Sequence, residues 1–249
     1  MKLIIDGLAI EYSDEGVGPV ILMLHGWKDS LSTFNELVKA TSVKNRIIRV
    51  DLPGFGRSES PHEVWNLDDY VLFANNFCKK LNVSPYAIVG HSFGGRIAIK
   101  GTASGVLTPS KLVLIAAAGV AKRRTFRNKV FVIAAKLGKM ITYVPPLYFW
   151  RDQLRSKLYQ SIGSDYFEVG SLKKTFLNII NEDLSLDAQK INIPALLIWG
   201  DKDNSTLPEE GVQLSKFIKN SKLEMIPSAS HFVHQEYPEQ VAKFISNHL

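Results

Sequence analysis

The chain holds a single cysteine, Cys78, among 249 residues. No intramolecular disulfide can form, which excludes the stapled scaffolds of small secreted domains. Cys78 shares a helical pattern with Phe73, Phe77 and Leu81, where a thiol is expected to pack as a small hydrophobe. Long apolar runs are also missing, and none approaches the ~20 residues a membrane span needs. The opening Met1-Lys2-Leu3-Ile4-Ile5-Asp6-Gly7 has too short an apolar run for a signal peptide, and Asp6 interrupts it. A cytoplasmic location is the resulting expectation. No G-x-G-x-x-G follows the first strand pattern. No cluster of His, Cys, Asp and Glu has metal-ligand spacing. The sequence therefore calls for neither a metal nor another cofactor.

Acidic residues are scarce in one stretch. Residues 121–160 carry ten basic side chains and one acidic one, Asp152, for about +9 out of a net +6, so the remainder is slightly acidic. Such a segment reads first as a solvated face. It also allows contact with an anionic lipid surface or an anionic substrate. Nucleic-acid binding is not expected, because no recognised motif accompanies the charge.

Apolar residues make up 45% of the chain, enough for a substantial core in one α/β domain of ordinary size. Leu3–Ile5 and Leu8–Tyr12 flank Asp6-Gly7, a two-residue hairpin signal. Continuous apolar runs at 20–24, 47–50, 86–89, 111–115 and 195–199 read as buried strands. Helical spacing at 66–81, after Ser92, at about 209–219 and from Pro238 separates them, with a last strand at 222–226. This alternation predicts a mostly parallel sheet covered by helices on both faces. Residues 120–185 break the rhythm: they are basic, aromatic and helical in pattern, with Pro145-Pro146 as a breaker. The division expected is a core of 1–119 with 186–249, and an inserted helical segment of 120–185 after the strand at 111–115.

Chemistry gathers at the predicted strand ends, where open α/β sheets place their functional groups. Gly90-His91-Ser92-Phe93-Gly94 fits G-x-S-x-G between a strand and a helix, a turn that exposes a serine hydroxyl. His25-Gly26-Trp27 ends the strand at 20–24; Asp201 and Asp203 follow 195–199; His231 follows 222–226. The order serine, aspartate, histidine suits a serine activated by an oriented imidazole. Spacing alone leaves Asp201 a rival to Asp203, and His234 a rival to His231.

These motifs resemble those of the α/β-hydrolase superfamily, specifically its serine-nucleophile, cap-bearing, esterase-like members. The resemblance spans nearly the whole chain. It rests on His25-Gly26-Trp27, Asp51-Leu52-Pro53-Gly54-Phe55-Gly56-Arg57-Ser58, Gly90–Gly95, Trp199-Gly200-Asp201-Lys202-Asp203 and Ser230-His231-Phe232. It implies the α/β-hydrolase fold with a helical cap, Ser92 as nucleophile, Asp203 as acid and His231 as base. The backbone N–H groups of Trp27 and Phe93 would form the oxyanion hole. His25 would orient the oxyanion loop, His91 would be structural, and Asp51 and Arg57 would fix the loop around them. His62 and His248 read as surface residues. Trp27, Phe126, Tyr143, Tyr148 and Phe149 are expected to line the substrate pocket.

The activity this implies is hydrolysis of a small-molecule carboxylic ester with a small-to-medium apolar acyl group, through an acyl-enzyme. Serine at 92 argues against the aspartate-nucleophile relatives, the dehalogenases and epoxide hydrolases. C–C bond hydrolysis and cofactor-free haloperoxidase or perhydrolase chemistry use the same three residues and stay open. So does a slow-turnover ligand sensor acting through a protein partner. Monomer and homodimer are equally compatible with the sequence.

Overall fold

The computed structural model describes residues 1–41, 44–120 and 172–249. By internal contacts the chain falls into two compact units, Met1–Ala121 with Asn178–Leu249, and Lys122–Leu177. The first unit carries the sheet. Its strands are β1 (Lys2–Ile5), β2 (Leu8–Glu15), β3 (Val20–Leu24), β4 (Arg46–Val50), β5 (Ala87–His91), β6 (Lys111–Ile115), β7 (Ala195–Gly200) and β8 (Ser221–Ile226). The helices described, in chain order, are α1 (Asn35–Ala40), α2 (Leu67–Lys80), α3 (Phe93–Ala103), α4 (Lys173–Ile180), α5 (Ser185–Ala188), α6 (Pro208–Phe217), α7 (Val233–Glu236) and α8 (Pro238–His248). None is long and apolar enough to cross a membrane.

The spatial order is β1-β2-β4-β3-β5-β6-β7-β8. β1 and β2 pair antiparallel, as do β2 and β4; every later pairing is parallel. The Asp6-Gly7 turn closes the first hairpin with both residues at positive φ, 49° and 83°, so the strands meet in the register Ile5↔Leu8. That is the geometry a two-residue turn needs to follow the strand twist.

The central strands β3, β5, β6 and β7 are largely apolar because both faces are covered, while β4 also carries Arg46 and Arg49, paired with Asp14 and Glu15. One face places Ile21, Met23, Val89, Val113, Ile115 and Ile198 against Phe34, Leu37, Val241 and Ile245, under α1 and α8. Their alternate neighbours, Leu22, Leu24, Ile88, Leu112, Leu114 and Leu197, are equally buried and point the other way by the strand's period of two. Each such side chain contributes roughly 1.5–3 kcal/mol by leaving water. On that second face α2 and α3 lie side by side. α2 starts where the pattern predicts, at an Asn66 cap: its Oδ1 accepts the Asp68 and Asp69 amides at 2.7 and 3.2 Å, and Asp69 Oδ2 accepts the Asn66 amide at 2.7 Å. Cys78 is buried on this helix, and burial pushes its thiol up to about 12, so it packs as an inert hydrophobe.

The chain thus has the α/β-hydrolase fold expected from its sequence. Short elements escaped the periodicity: the 3₁₀ turn Leu31–Phe34 with α1, and the single-turn helices α5 and α7. Each is too brief to establish a helical repeat. His248, expected at the surface, is half-buried, because α8 lays its last turn against the starts of β6 and β7, beside Leu112 and Pro194.

Candidate active site

β5 runs into α3 through Ser92, whose backbone sits at φ 49°, ψ −107°. A non-glycine residue holds such a conformation only where its surroundings over-determine it. The Ser92 N–H donates to Ile115 O at 3.0 Å, and the Ala118 N–H donates to Ser92 O at 3.2 Å, so the end of β6 grips the serine from both sides. The flanking glycines are required by close approach. A Cβ on Gly94 would lie 2.0 Å from Leu24 O, and one on Gly90 would lie 2.6 Å from Gly94 O. The Gly94 N–H donates to His25 O at 3.0 Å, which brings the start of α3 under the loop after β3. Between these engaged amides, the Phe93 N–H opens the helix with no carbonyl partner among the described residues. It is the kind of donor on which an oxyanion can form.

The loop after β3 is fixed by His25, which is fully buried. Its Nε2 accepts the Leu52 amide at 2.9 Å, so its Nδ1 carries the proton and donates to Gly26 O at 2.7 Å. Burial holds its pKa below the ordinary value. His25 therefore orients the backbone leading to Trp27 and is itself closed to proton transfer. Asp51 locks the next loop by accepting the Leu31 and Arg57 amides at 2.6 and 2.8 Å. Arg57 contributes only that backbone group, since its side chain is exposed. The Trp27 ring stands 4.7 Å from Phe55 and 5.2 Å from Phe93, and Tyr70 stands 4.9 Å from Phe93. These edge-to-face contacts give the serine turn an aromatic flank.

Asp203 and His231 come together from the ends of β7 and β8. His231 Nδ1 lies 2.8 Å from Asp203 Oδ2, with the carboxylate wholly buried and the imidazole one-seventh exposed (14%). Asp203 Oδ1 accepts the Ser205 and Thr206 amides at 2.8 and 3.0 Å, and Oδ2 also lies 2.8 Å from Thr206 Oγ1. Burial alone would raise the Asp203 pKa, but hydrogen bonds from His231, Thr206 and the Ser205 amide hold it below the usual carboxylate value. The carboxylate stays ionised, and the His231 proton sits on Nδ1. Nε2 is then the nitrogen left to take a proton. The rival Asp201 lies outside the pair: its Oδ1 accepts the Ser228 amide at 2.7 Å in a surface loop.

His91 ties the serine to this pair. Its Nε2 donates to the His231 carbonyl at 3.1 Å, and the two rings are 4.9 Å apart. No hydrogen bond joins Ser92 Oγ to His231; the residues beside and behind them make the connection. His234, the other rival, is wholly buried, with Nε2 3.0 Å from Thr33 Oγ1 and its ring 4.4 Å from His91. Burial, then the neighbouring His231, push its pKa down to about 3. Burial, then His234 and His231, push His91 well below its ordinary value. Both are neutral packing groups at working pH.

Of the pocket residues expected, Trp27 lies at the serine turn, while Phe126, Tyr143, Tyr148 and Phe149 fall outside the described residues, with the rest of 121–171. Two groups escaped the sequence reading. Glu236 accepts the Ser230 amide at 2.8 Å and so steadies the loop that presents His231. Thr206 touches Asp203 at both oxygens. A signal was present for it, since an aspartate followed closely by serine and threonine is an Asx-turn pattern.

The profile of the alpha/beta hydrolase family matches residues 21–244, and the chain belongs to that family. It is 28% identical to the human monoacylglycerol lipase ABHD6, over 94% of this chain and 76% of that protein. It is 24% identical to an uncharacterized hydrolase of Bacillus subtilis, YugF, over all of this chain and 97% of the other. Among solved structures, the enol-lactonase of Burkholderia xenovorans superposes with a TM-score of 0.74 at 19% identity, covering 99% and 98% of the two chains. That likeness is one of fold. The chain is thus a hydrolase of the α/β class.

Proposed function

We propose that this protein is a serine hydrolase that cleaves a carboxylic ester through an acyl-enzyme. The observation that carries the reading is the buried Asp203–His231 pair, 2.8 Å apart, whose backbone His91 fastens beside the strained Ser92 turn. In this reading Nε2 of His231 takes the Ser92 hydroxyl proton as Oγ attacks the ester carbonyl. The carbonyl oxygen gains the charge and is held by the Phe93 and Trp27 amides. Each such donor is worth about 3–4 kcal/mol in the transition state. The intermediate collapses, and the leaving alkoxide takes the proton from His231. Water, deprotonated by the same nitrogen, then frees the acid from Ser92. Asp203 keeps its charge throughout and stabilises the imidazolium.

The surroundings support the substrate class. The aromatic flank of Trp27, Phe55 and Phe93 favours an apolar acyl group of small to medium size. The resemblance to a monoacylglycerol lipase supports a carboxylic ester over other bonds open to the same three residues. Residues 120–185 are assigned the role of a helical cap that sets chain-length preference. Their basic run suits contact with an anionic lipid surface.

Nitrophenyl esters from acetate to palmitate test the reading. Turnover concentrated among the short and medium chains, and abolished in Ser92→Ala, is the expected result. Uniformly negligible rates, or activity that survives Ser92→Ala, would overturn it.

A further inference from the structure

Thr206 lies at a junction that the three-residue scheme leaves unused. Its hydroxyl is 2.8 Å from Asp203 Oδ2, 3.0 Å from Ala116 O and 3.3 Å from His231 Nδ1. Its amide donates to Asp203 Oδ1 at 3.0 Å. Its own carbonyl accepts the Trp199 indole N–H at 3.2 Å, so the backbone is fixed from a fully buried ring. Ala116 is equally committed: it sits at φ 44°, in the left-handed region, and its N–H donates to Ile198 O at 2.9 Å. Ala116 belongs to the segment that grips Ser92 through Ile115 O and the Ala118 amide. One hydroxyl therefore bridges the acid–base pair and the strand end that holds the serine turn.

We infer that Thr206 is a positioning residue for the reaction: its hydroxyl fixes the Asp203 carboxylate against His231 and ties that pair to the Ser92 turn through Ala116. The inference rests on the serine-hydrolase reading above. A hydroxyl has one proton and two lone pairs. Shared between Asp203 Oδ2 and Ala116 O, both of them acceptors, the proton completes the carboxylate's shell and reaches the strand end, and a lone pair faces the His231 Nδ1–H. The imidazole N–H is then shared between carboxylate and hydroxyl, which restricts the ring's rotation. Valine in this place keeps the shape and the backbone bonds and loses every bond of the hydroxyl. Asp203 would lose a donor and hold the protonated imidazole more strongly, while the ring would lose its second contact. Among the described residues, the other titratable groups packed around His231 are His91, at the end of β5, and His234, on α7. Both are buried and neutral, so neither supplies a competing charge.

The test compares Thr206→Val and Thr206→Ser with the wild type, using the rate at which a fluorophosphonate labels Ser92 from pH 5 to 9. This readout needs no natural substrate. Thr206→Val should label roughly ten- to a hundredfold more slowly, as the loss of a hydrogen bond to a charged group implies. Its acid limb should move to higher pH. Thr206→Ser, which restores the hydroxyl, should recover both the rate and the limb. Thermal melts of all three proteins accompany the rates. A Thr206→Val protein that melts lower but labels at the wild-type rate with an unmoved limb would reduce Thr206 to a structural role and overturn the inference. A Thr206→Ser protein as slow as Thr206→Val would do the same. A folded wild type that labels at no pH would instead overturn the serine-hydrolase reading, and this inference with it.

Discussion

Ser92 should limit the stability of the fold it serves. Its backbone is held at φ 49°, ψ −107°, a region that a side chain disfavours and glycine tolerates. A residue kept there costs about 1–3 kcal/mol. Replacing it with glycine removes the Cβ that creates the strain, against about 0.5–1 kcal/mol of extra backbone entropy lost on folding. Taking the middle of both ranges, Ser92→Gly is roughly 1 kcal/mol more stable. For a chain of this length that is about 2–4 °C in melting temperature. Ser92→Ala is the control: it removes the hydroxyl and keeps the Cβ, so it should melt near the wild type. The hydroxyl caps no helix amide, so its removal strands no partner. The difference between the two variants isolates the backbone term. Scanning calorimetry or a dye-based melt, with fluorophosphonate labelling lost in both variants, completes the assay. Should Ser92→Gly melt at or below Ser92→Ala, the turn is not strained and the argument fails.

Two further expectations follow from the same region. Asp203→Asn should lower kcat by about ten-thousandfold, because an amide favours the wrong imidazole tautomer. Asp201→Asn should leave kcat unchanged, since its carboxylate serves the Ser228 amide; steady-state kinetics on the best nitrophenyl ester separates the two, and equal losses would remove Asp203 from its role. The buried histidines should also make the fold acid-sensitive well above the carboxylate range. His234 titrates at about 3 when folded and near 6.5 when unfolded, so the unfolded chain binds the proton first as pH falls. Stability is then complete above about pH 6.5 and declines below it, by about 1.4 kcal/mol per pH unit for this group. His25 and His91 are shifted in the same direction. Asp14 and Asp203, held below the usual 3.8, add their loss only beneath that pH. Urea melts at pH 7.5, 6.0 and 5.0 should show the decline, and a flat profile would contradict the assignment of neutral, buried imidazoles.

The sheet was legible because β3, β5, β6 and β7 are largely apolar on both faces, a pattern that solvent-exposed segments rarely imitate. Ser92 was legible because the clash distances at Gly90 and Gly94 leave only glycine there, and the spacing survives in the sequence as a motif. Asp203 and His231 lie 28 residues apart and meet only because β7 and β8 pair in parallel with their ends level, Gly200 opposite Ile226. Local pattern can nominate such a pair but cannot bring it together, which is why Asp201 and His234 remained rivals until the hydrogen bonds separated them. Thr206 marks the limit of that legibility. Its chemistry depends on a carbonyl 90 residues away that faces it at φ 44°, and a threonine in a polar loop gives no hint of that partner. His91 was expected to be structural, and the neutral, packed state of His91 and His234 arises from burial, with His231 beside both. Residues that carry out a reaction leave motifs because their types are fixed by chemistry. Residues that hold them are fixed by geometry, and that geometry exists only once the chain has folded.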